Sequence, residues 1–281
     1  MKRVNFDQID TDKFVWLPPS EHSKVLIFDM DETLIHCVDD LETQDPDVIL
    51  EIDFPGEETV CAGINLRPFL VEVLTEANKH MQVGVFTASQ QTYADAILDY
   101  IDPNNEFFAF RMYRDHCVHS PEGYYVKDLR VIRNVEIENI VIVDNSVYSF
   151  AYQLDNGVPI IPFYDDPKDE ELCHLIFYIE NLSTVDDLRD ANRRAFELHK
   201  LCRPSNATES GAQMLDVIEE DLDYRDDESK VIGVEDLEKM IGTGEQNLLS
   251  DSVLDGLLEA EAAEIDDARS DAEPITDCEV I

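Results

Sequence analysis

The chain has 281 residues, and 63 acidic residues against 21 Lys and Arg give a formal net charge of −42. That balance argues against general nucleic-acid binding, which needs Lys and Arg to displace counterions from phosphates. It argues equally against an anionic membrane surface, so no nucleic acid and no membrane is expected as a direct partner. The expected partners are basic or apolar.

The six cysteines form no C-x-x-C pair, and none is spaced from histidine as in a zinc site. This pattern favours the reduced thiols of a cytosolic or nuclear protein. The first twenty residues lack the apolar core of a signal peptide, and no apolar run is long enough to cross a membrane. The predicted location is therefore the nucleus or the cytoplasm.

In chain order, the first element is a buried strand over residues 24–29, where a continuous apolar run leads into Asp29 and Asp31. Residues 48–54 alternate apolar and polar side chains, and Pro55-Gly56 then predicts a turn into a returning strand over 59–64. These two segments predict an inserted β-hairpin.

The next elements alternate between helix and strand. Pro68 is expected in the first turn of a helix, residues 82–86 form a strand ending at Thr87, and Ser89 is expected to cap the following helix. Residues 140–143 form another buried strand, ending at Asp144-Asn145. A helix starting at Pro167 follows, and Thr184 with Asp187 predicts a capping box for a last helix that reaches about residue 202.

This alternation, with strands apolar throughout, predicts an α/β fold of three layers around a mainly parallel central sheet. The predicted organisation is an N-terminal extension (1–19), a main domain (20–185), a C-terminal helix (186–204) and an acidic, largely disordered tail (205–281). Residues 206–281 hold 24 acidic and 4 basic residues with Gly, Ser and few aromatics, and high net charge with few aromatics is typical of disorder.

Within that tail, the leucines and valine near 247–264 lie on one face of an amphipathic helix. Three interpretations stay open: a helix folded back on the core, a helix that binds a protein partner, or no stable structure.

The chemistry is indicated by polar residues at the ends of three buried strands: Asp29 and Asp31, then Thr87, then Asp144 with Asn145. In an open α/β sheet, ligands bind beyond the carboxyl ends of the strands, so parallel neighbours would bring these side chains together. A carboxylate nucleophile, a second carboxylate, a hydroxyl and an ammonium (Lys127, among apolar residues) suit phosphoryl transfer. Each residue also has a plainer interpretation as a turn, strand-end or surface residue.

Four segments occur in the order of the four motifs of the haloacid dehalogenase superfamily, and they resemble one branch of it, the small phosphatases of the RNA polymerase II carboxy-terminal domain. The segments are Asp29-Met-Asp-Glu-Thr33, Phe86-Thr-Ala-Ser89, Tyr125-Val-Lys-Asp-Leu129 and Val143-Asp-Asn-Ser146. Arg67-Pro68, Tyr93-Ala-Asp95, Arg114 and Asn156 add to the resemblance, which covers about residues 20–185. It implies a Rossmann-like fold in which the hairpin takes the place of a large cap domain.

The resemblance implies a Mg²⁺-dependent phosphatase that acts on phosphoproteins through an aspartyl-phosphate. Asp29 would be nucleophile and metal ligand, and Asp31 would be general acid/base with a main-chain carbonyl on the metal. Asn145 would complete the metal site, and Thr87, Lys127 and Arg114 would bind phosphate. Thr33 and Asp144 would support these groups.

Two other functions stay open. The same branch includes a fold used for protein binding without catalysis, and a small-molecule phosphatase of the superfamily would need a large cap. One hypothesis concerns charge: six cations form a basic patch around the site, and the acidic tail competes with substrate for it. The six are Arg67, Arg111, Arg114, Lys127, Arg130 and Arg133.

Overall fold

A computed structural model of the protein describes residues 10–201, apart from residues 39, 42, 57, 121 and 122. The predicted acidic tail and the amphipathic segment near 247–264 lie outside the described residues. The strands are β1 (Val25–Phe28), β2 (Ile35–Cys37), β3 (Val48–Asp53), β4 (Thr59–Leu66), β5 (Gln82–Phe86), β6 (Phe110–Met112), β7 (Val118–His119), β8 (Tyr125–Val126), β9 (Ile140–Asp144) and β10 (Gly157–Pro159). The helices are α1 (Leu70–His80), α2 (Gln91–Ile101), α3 (Glu171–Ser183) and α4 (Leu188–Ala195).

Five parallel strands form the central sheet, in the order β10-β9-β1-β5-β6. Every residue of β1, β5 and β9 is buried. Successive residues of β1 point to opposite faces, so Leu26 and Phe28 join one hydrophobic core while Val25 and Ile27 join a second. A parallel sheet covered on both faces confirms the predicted fold class.

A three-stranded antiparallel sheet, in the order β2-β4-β3, lies between β1 and α1 in the chain. The predicted hairpin is confirmed as β3 and β4, and β2 adds a third strand. β7 and β8 form a separate small antiparallel pair.

Two prolines precede their helices instead of opening them. Pro68 lies in a turn and α1 begins at Leu70, after Phe69, whose φ of 66° is left-handed. Pro167 also lies in a turn, and α3 begins only at Glu171. Left-handed Phe69 cannot belong to a right-handed helix, so α1 starts after it, and Glu170 (φ −116°, ψ 5°) likewise lies outside helical geometry just before α3.

Two predicted caps are wrong. Gln90, not Ser89, precedes α2. Asp187 alone caps α4, accepting a hydrogen bond from the Arg189 amide, while Thr184 ends α3. The last helix is shorter than expected because α4 ends at Ala195.

A lysine from the start of β1 closes the end of α3. Lys24 Nζ donates to the carbonyls of Leu182 (2.9 Å), Ser183 (2.8 Å) and Val185 (2.5 Å). Carbonyls at and just beyond a helix end lack the regular donor that follows them in the helix interior, and the ammonium supplies a donor to each of these three. Within residues 10–201, no helix is long and apolar enough to cross a membrane.

Candidate active site

A cleft of about 360 Å³ opens at the carboxyl end of the central sheet. It is lined by Asp29, Asp31, Glu32, Thr87, Ala88, Ser89, Arg114, Gly123, Tyr124, Tyr125, Lys127, Asp144, Asn145, Ser146, Tyr148 and Ser149. Every residue predicted to act on phosphate or metal lines it, and Thr33 lies buried directly beneath. The three strand ends therefore meet as the parallel topology requires.

Lys127 lies between two carboxylates at the bottom of the cleft. Its Nζ donates to Asp29 Oδ1 at 2.5 Å and to Asp144 Oδ2 at 2.6 Å, and all three residues are buried. Burial alone would lower the pKa of Lys127, but the Asp144 and Asp29 carboxylates outweigh it and raise that pKa above its ordinary value. The lysine is therefore a fixed positive charge at the carboxylate predicted to attack phosphorus.

Asp31 has different neighbours from Asp29. Ser89 Oγ donates to its Oδ2 at 2.8 Å, Tyr93 OH donates to its Oδ1 at 3.0 Å, and Thr87 Oγ1 lies 3.4 Å from Oδ2. Burial, followed by repulsion from Glu32 and Asp29, raises the pKa of Asp31 to about 7, although the Ser89 and Tyr93 hydrogen bonds act in the opposite direction. A carboxyl group with this pKa can both donate and accept a proton near neutral pH.

Thr33 links the first and third strand ends. Its hydroxyl lies 3.1 Å from Asp29 Oδ2 and 3.3 Å from Asn145 Oδ1, and it accepts from the Asn145 amide. A tight turn brings Thr33 back beneath Asp29, since the Met30 carbonyl accepts from three amides and Glu32 has a φ of 55°. The turn after β1 therefore brings the side chains of Asp29 and Thr33 next to that of Asn145, which follows β9.

The basic patch expected from sequence is wrong, because the six cations are dispersed. Arg67 is buried and pairs through two nitrogens with Asp169, while Arg111 pairs with Asp95 and Asp99. Arg130 pairs with Asp128, and Arg133 lies over the Phe14 ring. Among these six, Arg114 and Lys127 line the cleft.

Arg114 is held at the cleft wall by two contacts. Its Nε donates to the Ala88 carbonyl at 2.6 Å, and its guanidinium lies 4.9 Å from the centre of the Tyr125 ring. These contacts place a cation at the opening, where an anionic group could reach it.

Sequence reasoning did not assign roles to Ser89 and Tyr93 at Asp31, although both lie in segments quoted for the resemblance. Tyr124 and Tyr148, which also line the cleft, carried no signal at all. Ser89 and Tyr93 lie three and seven residues after the end of β5. The sequence alone does not show which way their hydroxyl groups point, because that depends on where the following helix lies.

The oxygen donors at this edge fit a Mg²⁺ ion. Among the described residues, no group of three or more His, Cys, Asp or Glu forms a metal cluster. Asp29 and Asn145, both within hydrogen-bonding distance of the Thr33 hydroxyl, offer carboxylate and amide oxygens, and Asp31 lines the same cleft. Mg²⁺ is usually bound through one or two carboxylates, water and substrate phosphate, so this donor set is sufficient.

A parallel α/β sheet with this carboxylate pair at its carboxyl edge has the architecture of the haloacid dehalogenase superfamily. The chain matches the family described as NLI interacting factor-like phosphatase over residues 24–189, and it belongs to that family. It is 40% identical over 190 residues to a CTD small phosphatase-like protein 2 of Dictyostelium discoideum. It is 36% identical over 167 residues to the nuclear envelope morphology protein 1 of Schizosaccharomyces pombe.

These matches cover 66% and 59% of this chain but only 33% and 35% of the two relatives, so the chain spans about a third of their length. A solved structure of Fcp1, described as an RNA polymerase II CTD phosphatase, is 16% identical, with a TM-score of 0.49. That match covers 68% of this chain and 69% of the other, and its score is too low to add to the assignment.

Proposed function

We propose that the protein is a Mg²⁺-dependent serine/threonine phosphoprotein phosphatase that works through an aspartyl-phosphate. One observation carries the proposal: two carboxylates with different environments, Asp29 beside a buried ammonium and Asp31 among hydroxyls, share the opening of one cleft. Membership of a phosphatase family supports it.

In the proposed reaction, a carboxylate oxygen of Asp29 attacks phosphorus in line with the leaving oxygen, and the bond from phosphorus to that oxygen breaks. Asp31 donates its proton to the leaving oxygen, so the serine or threonine departs as an alcohol. Asp31, now ionised, takes a proton from water as the water attacks the aspartyl-phosphate, and Asp29 and inorganic phosphate are released.

The other cleft residues bind and neutralise charge. Lys127, Thr87 and Arg114 would donate hydrogen bonds to the phosphate oxygens, and charge-assisted bonds of this type are strong. Asp144 keeps Lys127 in place, and Thr33 holds the side chains of Asp29 and Asn145. Asp29, the Asp31 carbonyl and Asn145 would hold Mg²⁺, which when bound would neutralise the charge that develops on the phosphoryl group.

The cleft suits a protein substrate because it is open. Between residues 10 and 201, within the described ranges, the insert after β1 is a small antiparallel sheet and no large cap covers the cleft. The motif resemblance makes the RNA polymerase II carboxy-terminal domain one proposed substrate, and the Dictyostelium relative is named a CTD small phosphatase-like protein. The name of the fission yeast relative suggests a location at the nuclear envelope. The proposed catalytic unit is residues 20–185, against which α4 packs through Asn192 and the Gly157 carbonyl.

The test is hydrolysis of p-nitrophenyl phosphate and of a phosphoserine peptide, with Mg²⁺ and with EDTA. Asp29→Asn should abolish both activities, and Asp31→Asn should lower peptide hydrolysis by about 10²–10⁴-fold. Asp165→Asn, at an exposed position outside the cleft, is the matched control and should retain full activity. Wild-type protein that binds the phosphopeptide but hydrolyses neither substrate would favour the binding function instead, and activity in Asp29→Asn would exclude this nucleophile.

A further inference from the structure

Two tyrosines form one wall of the cleft and take no part in the proposed reaction. Tyr124 and Tyr148 are stacked, with ring centres 5.8 Å apart and planes inclined by 14°. Both line the cleft and both are partly exposed. The rings come from different segments of the chain, so their stacking is a tertiary arrangement at the opening of the cleft.

The backbone holds this tyrosine wall close to the phosphate-binding groups. Tyr124 lies three residues before Lys127, and Tyr148 lies three residues after Asn145. The Lys127 amide donates to the Ser149 carbonyl at 2.6 Å, which ties the two segments together. A side chain next to a phosphorylated residue would therefore reach these rings when its phosphate lies at Lys127.

The charge of the cleft indicates which kind of side chain would lie next to the phosphorylated residue. Four carboxylates and two cations line it. Lys127 is occupied by Asp29 and Asp144, and the Arg114 guanidinium lies over Tyr125. Glu32, whose Oε1 accepts from His36 Nδ1 at 3.1 Å, is the fourth carboxyl group of the same cleft. In a chain of net charge −42, this lining attracts a basic neighbour of the phosphate and repels an acidic one.

Aromatic faces add a specific attraction for cations. A guanidinium within about 6 Å of a ring centre is bound by the negative face of the ring, and tyrosine is among the better partners. The chain already places guanidinium groups over rings in this way, with Arg114 over Tyr125 at 4.9 Å and Arg133 over Phe14 at 4.6 Å.

From this geometry we infer that the tyrosine wall binds a basic side chain, arginine before lysine, adjacent to the phosphorylated residue of the substrate. The inference rests on the proposed function and deepens it. It defines the substrate class as basic phosphopeptides.

The experiment uses three phosphoserine peptides that differ only in the residues flanking the phosphoserine, which are arginine, leucine or glutamate. Wild-type kcat/KM should be about 3- to 30-fold higher for the arginine peptide than for the leucine peptide, the range expected for a cation over an aromatic ring, and lowest for the glutamate peptide. Tyr148→Leu and Tyr124→Leu should reduce the arginine preference, taken as the ratio of kcat/KM for the arginine and leucine peptides within each variant, to less than about 2-fold. Tyr148→Phe keeps the ring and should keep the preference.

Binding of the same peptides, measured by fluorescence anisotropy, separates this inference from the proposed function. Binding that favours arginine without any hydrolysis would support the tyrosine wall and reject the phosphatase. Hydrolysis with equal kcat/KM for the three peptides, a preference for glutamate, or an arginine preference that survives Tyr148→Leu and Tyr124→Leu would overturn the inference. So would a preference lost in Tyr148→Phe, because the hydroxyl would then be the group that acts.

Discussion

The two main sheets of the molecule differ in how many of their strand residues are buried. In the parallel sheet, every residue of β1, β5 and β9 is buried, whereas in β3 only Ile52 of six residues is. The parallel strands are covered on both faces and end in polar residues that line the cleft; within the described residues, β3 and β4 contribute none of the cleft lining. A scaffold buried on both faces therefore positions the cleft residues, while the insert can vary on its solvent face without disturbing them.

The largest expected effect is that of Lys127→Met, a change at the carboxyl edge of the parallel sheet. Loss of the ammonium leaves Asp29 and Asp144 buried without their common partner, which should cost about 3–5 kcal/mol of stability. Activity should fall by about 10²–10³-fold as well, because a donor to the reacting phosphate is lost. Urea unfolding and steady-state kinetics measure the two effects. The control is Lys79→Met, which removes an exposed lysine paired with Glu76 and should cost less than about 1 kcal/mol. Equal stability of the two variants would contradict this view of the site.

Arg67 lies where the insert joins the scaffold. Its guanidinium donates to the Thr33 carbonyl (3.1 Å), the Ile161 carbonyl (2.7 Å) and both oxygens of Asp169, and so ties the turn after β1 to the segment before α3. Arg67→Met should destabilise the protein by about 3 kcal/mol, since Asp169 and these carbonyls lose their donor.

Arg67→Lys should recover only part of that stability, because an ammonium cannot reproduce the planar arrangement of donors. Arg193→Met, which removes a largely exposed arginine paired with Asp155, is the matched control for chemical denaturation. A melting temperature for Arg67→Met as high as that of Arg193→Met would mean that the buried arginine does not hold the two segments together.

A smaller effect tests the insert itself, through two isoleucines on opposite faces of β3. Ile52→Val should cost about 0.5–1.5 kcal/mol, because Ile52 is only 2% exposed and its methylene is packed in the core. Ile49→Val makes the same chemical change at a residue that is 55% exposed, and its effect should stay within about 0.5 kcal/mol. Thermal denaturation of both variants measures the difference, and a larger loss for Ile49→Val would place the wrong face of β3 toward the core.

The smallest expected effect is a shift in pH dependence. Asp31 must be protonated to act as the general acid, and its pKa is raised to about 7, so kcat/KM on a phosphoserine peptide should fall as pH rises through about 7. Ser89→Ala removes a hydrogen bond that stabilises the ionised carboxylate, so this falling limb should move to higher pH. Glu32→Gln removes a repulsive charge and should move it to lower pH. Profiles of the two variants that shift in the same direction would exclude Asp31 as the group that titrates.

The sequence was sufficient for the parallel scaffold and for the polar strand ends that line the cleft. Continuous apolar runs ending at Asp29, Thr87 and Asp144 define both the strands and their polar ends, and a parallel topology then brings those ends together. Lys127 could be predicted because a lysine among apolar residues needs a partner, and Asp29 and Asp144 are the partners the structure gives it.

Partners distant in the chain could not be predicted. Ser89 has the sequence context of a helix cap, yet its hydroxyl donates to Asp31, 58 residues away. Arg67 could equally have been a surface or phosphate-binding residue, and only the position of Asp169, 102 residues away, makes it a buried structural cation. Secondary-structure propensity depends on residues that are close in sequence, so it cannot identify a tertiary partner this far along the chain.

The ammonium of Lys24 has a consequence for the order in which the chain assembles. Its carbonyl partners at the end of α3 lie 158 residues or more further on, and the links between Asp29 and Lys127 and between Thr33 and Asn145 span 98 and 112 residues. During synthesis, β1 therefore emerges long before β9, its neighbour on one side, exists. Contacts between residues so far apart close late and slow folding, and the apolar strand stays unpaired on its β9 side meanwhile. The strand that leads into the proposed nucleophile is thus among the first parts made and among the last to be completed.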